Sequence, residues 1–192
     1  MPRTNIFKII LPHYEMTLLE SFHNFQEVYE NNSFRIYRHR EYGNNDIYKM
    51  TFTTDFPLLT TARAITSMHL YKNWHPQIEE AEIKLKISSE NSFLIYQQVK
   101  SYSEWYRDRE YLVLLHAFVD KEDVIDGHPT ACYLVGKSIE NTNYVPLLSL
   151  TRGNIDYMVW KIEEFKGNAN KSKVKMELKI DHRGLLNTSH QN

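Results

Sequence analysis

Cysteine, glycine and proline are all scarce here, at one, six and six among 192 residues. A lone Cys132 excludes an internal disulfide and fits a reducing compartment. It stands between Ala131 and Tyr133 in an apolar stretch, which predicts a buried, inert thiol. So few glycines leave little for a phosphate-cradling loop. The chain holds no Gly-x-x-x-x-Gly-Lys, no Gly-x-Gly-x-x-Gly and no Gly-x-Ser-x-Gly.

Charge of one sign is missing too. Lys and Arg number 23 against 24 Asp and Glu, a net charge of −1. Phosphate-driven nucleic-acid binding needs a basic excess, so no nucleic-acid partner is expected. No apolar run approaches the ~20 residues of a membrane-spanning helix. The longest candidate, 111–119, is interrupted by His116. The first fourteen residues carry Arg3 and Lys8 and no acid, but lack the Arg and Ser density of a transit peptide. An intracellular location is expected, cytoplasmic or mitochondrial and peripheral to a membrane.

Chemistry-bearing constellations are equally sparse. None of the nine histidines forms His-Glu-x-x-His, and Cys132 has no second cysteine with which to build a zinc site. Asp120, Glu122, Asp123 and Asp126 lack the spacing of a calcium loop and read as a solvated turn. His116, inside an apolar strand, reads as a hydrogen-bonded core residue. No catalytic residue, metal or cofactor is expected, and the protein is read as non-enzymatic.

Aromatic residues are plentiful at 13%. They suit a large core or the lining of an apolar cavity. Thr17 and Glu20 form a capping box, and Leu18, Phe22, Phe25 and Tyr29 recur at helical spacing, so 17–30 is expected to be a helix. Strands are expected at 34–40 and 46–53. A helix over 55–71 follows, with Leu58, Ala62, Ile65 and His69 on one stripe and Pro76 blocking its continuation. From 81 onward the period is two, giving strands near 81–87, 93–99, 108–120, 131–140, 155–163 and 171–180. The last is the cleanest: Val174, Met176, Leu178 and Ile180 alternate with Lys173, Lys175, Glu177 and Lys179. The lysines there, with Lys166, Lys171 and Arg183, read as a solvated strand face. Consecutive antiparallel strands with short loops make a curved α+β sheet whose apolar face needs a cover.

Four marks in order resemble the START family of lipid-binding domains in the helix-grip superfamily. They are Trp74 with Pro76 after the second helix, Arg107-Asp108 opening the central strand, Arg152-Gly153 before the next-to-last strand, and the run from Asp181 to Asn187 at the end of the last. The resemblance covers 17–187, preceded by an N-terminal extension, 1–16, and followed by a tail, 188–192. It implies a helix-grip fold, about eight curved antiparallel strands packed with helices around an apolar cavity. It also implies a lipid partner, a phospholipid or other apolar ligand, with Trp74, Gln97, Trp105, Tyr106, Arg107 and Val113 as candidate contacts.

Two departures stand out. Sterol-binding members pair a buried acid with an arginine where this chain has Gln97 and Val113. The residues after Gly184 are too few for the family's long C-terminal lid helix. The expectation is therefore an open cavity end covered by a protein partner, with peripheral membrane contact. The alternative reading is an accessory subunit of a larger, membrane-associated mitochondrial assembly that reuses the fold for protein contacts.

Overall fold

A computed structural model describes residues 25–40, 45–73, 75–87, 91–101 and 107–181. Its strands are β1 (Gln26–Glu30), β2 (Phe34–Arg40), β3 (Asn45–Thr54), β4 (Ile78–Ile87), β5 (Ser92–Val99), β6 (Arg109–Phe118), β7 (Val124–Ile125), β8 (His128–Pro129), β9 (Ala131–Ser138), β10 (Thr151–Arg152), β11 (Asn154–Phe165) and β12 (Asn168–Asp181). Helix α1 (Leu58–Thr66) and a 3-10 helix (Met68–Asn73) lie between β3 and β4. The main sheet runs β1-β2-β3-β12-β11-β9-β6-β5-β4, with β10 parallel to the start of β6. All eight strands expected from the sequence form. The short β10 and the edge strand β1 add to them.

β1 corrects the expected helix over 17–30, whose first part lies outside the described residues. Gln26–Glu30 pairs antiparallel with β2 and is exposed throughout. The reason is local. Asn31 Oδ1 accepts from the backbone N–H groups of Ser33 (3.0 Å) and Phe34 (2.8 Å), closing a tight turn. That turn folds 26–30 back along β2, and the pairing overrides the helical spacing of Phe25 and Tyr29.

The helix expected over 55–71 is also split. Thr66 bonds back to the carbonyls of Ala62 (2.9 Å) and Arg63 (3.2 Å). Ser67 then leaves helical geometry at φ −78, ψ 49. The chain re-forms as the 3-10 helix, tied to α1 by Tyr71 Oη donating to the Ile65 carbonyl at 2.6 Å. Leu58 and Ile65 are buried as expected. Their buried companions are Thr61, Met68 and Tyr71, whereas Ala62 and His69 are only half-buried. Thr61 Oγ1 meets Ser172 Oγ at 2.7 Å, which pins α1 to β12.

Two hairpins are made by residues at positive φ. Asp126 (φ 50) and Gly127 (φ 78) turn β7 into β8, where Ile125 pairs with His128 and Val124 with Pro129. Gly167 (φ 82) turns β11 into β12. The outward face of β12 is less solvated than expected. Lys173 is exposed, whereas Lys175 and Lys179 are half-buried and pair with Glu163 and Asp156. Glu177 is buried, accepting from Tyr157 Oη at 2.6 Å. His116 Nδ1 and Ser92 Oγ lie 2.9 Å apart in the core, as expected of a satisfied buried histidine.

Candidate functional site: a cavity between sheet and helix

Alternation along each strand sends one set of side chains toward α1 and the other away from it. On the α1 side the two layers touch where Thr61 meets Ser172 and otherwise stand apart. They enclose a cavity of about 1140 Å³. This exceeds the ~300–1,000 Å³ of ordinary small-molecule pockets. Tyr111 and Val113 from β6, Ile155, Met158 and Trp160 from β11, Met176, Leu178 and Ile180 from β12, and Met50 and Phe52 from β3 form the wall. Ile65 and Met68 close it from the helical side. The inward set expected for β12 thus serves the cavity as well as the core.

The two ends of the cavity differ in chemistry. Where β5 ends and β6 begins, the lining is polar: His75, Gln77, Lys100, Ser101 and Arg109. Near the start of α1 it is aromatic, with Phe34, Phe52 and Phe56. A molecule with a polar head and an apolar body matches this gradient along one axis.

Of the candidate residues from the sequence, Gln97 and Val113 are both in the wall. Gln97 lies on β5 opposite Tyr111, and Val113 lies opposite Ile95. Gln97 is 7% exposed, and its Nε2 has no hydrogen-bond partner among the described residues. A buried amide N–H costs roughly 1–3 kcal/mol when it is left unpaired. Trp160 Nε1 on β11 is likewise without a partner, so the wall holds two buried donors that a ligand could satisfy. Arg107 is exposed, does not line the cavity, and lends its carbonyl to Arg109 Nη1 at 3.2 Å. Its neighbour Asp108 organises the loop, accepting from the Ser101 N–H at 2.8 Å. Trp74, Trp105 and Tyr106 lie outside the described residues.

Sequence reasoning missed Tyr111 and Arg109 as wall residues, and the role of Gly153. The Tyr111 ring lies against Gly153, where a Cβ would overlap it, so glycine at 153 leaves that part of the wall its room. Arg152 fixes the glycine in place. Its Nε donates to Glu110 Oε1 at 3.0 Å and its Nη2 to the Tyr144 carbonyl at 3.2 Å. Tyr96 Oη donates to the other oxygen of Glu110 at 3.1 Å. Arg152-Gly153 had been marked only as a family dipeptide. Here it is a buried ion pair beside a space-making glycine.

Burial favours the protonated form of two tyrosines that line the cavity. Burial pushes the Tyr111 hydroxyl up to about 12 and raises Tyr71 as well. Burial likewise raises the Cys132 thiol, in keeping with an inert residue. Among the described residues no group of three His, Cys, Asp or Glu is placed to hold a metal ion. No helix among them is long and apolar enough to cross a membrane.

No family model matches the sequence, and no curated protein matches it. Solved structures do. Human StAR-related lipid transfer protein 5 superposes at a TM-score of 0.76 with 13% identity, covering 92% of this chain and 81% of that one. Human STARD10 gives 0.72 at 13% identity, covering 91% and 67%. A STAR-related lipid transfer protein from Xanthomonas axonopodis gives 0.61 at 12% identity, covering 81% and 80%. Identity this low speaks to fold alone, and the fold is the one the sequence resembled: a START, or helix-grip, domain.

Proposed function

We propose that the protein is a non-enzymatic lipid-binding domain that encloses one apolar ligand, a phospholipid or comparable lipid, beneath its sheet. The observation that carries this is the cavity of about 1140 Å³ with its polar-to-aromatic gradient. At the volume that water occupies in the liquid, such a space equals roughly forty water molecules. Replacing water along apolar walls with hydrocarbon is favourable by roughly 25 cal/mol per Å² buried. The head of the ligand lies at the rim formed by His75, Lys100, Ser101 and Arg109, and its tails point toward Phe34 and Phe52. Gln97 Nε2 donates to a neutral oxygen of the ligand, such as an ester carbonyl or a hydroxyl.

Native mass spectrometry of the purified protein tests this reading. A stoichiometric lipid adduct is expected, and it should be lost in Leu178→Trp, which fills the cavity from β12. A wild-type protein that carries no lipid and takes none up from vesicles would refute the proposal.

A further inference from the structure

The loop between β9 and β10 presents an aliphatic tip that the core does not use. Leu148 is 98% exposed, Val145 76% and Leu147 52%. No charged residue occurs over 141–151. The tip is nonetheless held in shape. Tyr144 donates its N–H to the Asn141 carbonyl at 3.0 Å, and Leu150 donates to Leu147 at 3.0 Å. Tyr144 packs against the outer core beside Leu94 and Leu112, while Arg152 grips its carbonyl. A turn that is braced and still offers its aliphatic side chains to water suits a contact outside the chain.

Its position points to what that contact is. Thr151 leaves the tip and pairs at once with Arg109, donating its N–H to the Asp108 carbonyl at 2.9 Å. Arg109 lines the cavity's polar rim. The chain leaving the tip therefore rejoins the sheet at the end at which a ligand's head would lie. A stable protein interface needs roughly 800 Å² per partner, more than three aliphatic side chains on one turn supply. Insertion into a bilayer needs only a small apolar wedge.

We infer that the 145–148 tip inserts into a lipid bilayer and seats the cavity's polar rim on the membrane surface. The assignment of that rim as the ligand's exit rests on the lipid-binding reading above. Insertion of the tip itself does not. Because 141–151 carries no charge, apolar burial drives the docking, and added salt should leave it nearly unchanged.

The test uses the full chain and phosphatidylcholine vesicles. Leu148→Cys carries an environment-sensitive fluorophore, while the buried Cys132 stays unlabelled. A control label goes at Ile125→Cys, which is 61% exposed on the β7–β8 turn. Vesicles are expected to blue-shift the label at 148 and leave the one at 125 unmoved. The double variant Leu147→Asp, Leu148→Asp should lower vesicle partitioning at least ~10-fold, while its lipid adduct in native mass spectrometry persists. Equal shifts at both sites, no shift at 148, or unchanged partitioning of the double variant would overturn the inference. So would a wild-type dimer that the double variant dissociates, since the tip would then belong to self-association. Loss of the lipid adduct in wild-type protein would instead count against the cavity reading, leaving the vesicle result to judge the tip.

Discussion

The two faces of β6 are both buried, but by different means. Facing α1, Tyr111 (5% exposed) and Val113 (1%) border open volume. Facing away, Glu110 (0%), Leu112 (0%) and Leu114 (8%) are sealed by close packing and by the segment that carries Tyr144. The outer face includes a buried carboxylate, yet all its partners are present in Arg152 and Tyr96. The inner face is mostly apolar, yet holds the unpaired Nε2 of Gln97 across from Tyr111. The solvent-excluded network is complete in itself, whereas the cavity wall leaves a donor for something else. Burial by atoms serves stability here, and burial around a void serves binding.

Substitutions separate the two. Glu110→Ala should have the largest effect, because it strands Arg152 and the Tyr96 hydroxyl in the interior. Breaking a buried pair by removing one partner costs about 3–5 kcal/mol. Urea denaturation reads this directly, and a loss below about 1 kcal/mol would mean the network is ornamental. Gly153→Ala comes next. The added methyl forces the Tyr111 ring off its seat, at a cost of about 1–3 kcal/mol. The lipid profile seen by mass spectrometry should change as well, since the displaced ring belongs to the wall.

The sharpest comparison is a matched pair on adjacent residues. Leu112→Phe overfills a packed site and should cost about 1–3 kcal/mol with bound lipid retained. Val113→Phe grows toward the cavity and should cost below about 1 kcal/mol while displacing lipid. If the two shift stability equally, the inner face is packed rather than hollow.

The smallest effect is on alkaline stability. Burial raises Tyr111 from 10.0 to about 12 and raises Tyr96 and Tyr71 too, with the hydrogen bond to Glu110 adding to Tyr96. The unfolded chain therefore loses these protons first. Their contribution is whole below pH 10 and fades for Tyr111 as pH climbs toward 12. Tyr111→Phe should make that decline shallower in melts taken across pH 9–12.

Much of the fold was readable beforehand because period-two patterning needs only sequence neighbours. Val174, Met176 and Ile180 on β12 are buried as the alternation predicts, and each expected strand forms. β4 shows the limit. Its irregularity between Ile83 and Leu85 breaks the alternation, leaving Leu85 53% exposed. The same limit explains 26–30. The helical spacing of Phe25 and Tyr29 was real, but the Asn31 turn and the edge of β2 decided the outcome. At the site, Gln97 and Val113 were reached through the resemblance and do stand in the wall. Gly153 stood out only as part of a family mark and Glu110 not at all, because their roles depend on Tyr111 and Arg152, 42 residues apart in sequence from Gly153 and Glu110 respectively.

By itself the sequence determined the class of the protein: a curved antiparallel sheet with helical cover, lacking the motifs of metal, nucleotide or acyl-transfer chemistry. Those conclusions rest on composition and on spacing within one element. Whether the apolar face closes on itself or stands off from α1 was decided only in three dimensions. Hydrophobicity says that a side chain leaves water, but it does not say whether atoms or a void await it on the other side. The gap under β6 and the paired Glu110 behind it both arise where strands distant in sequence meet.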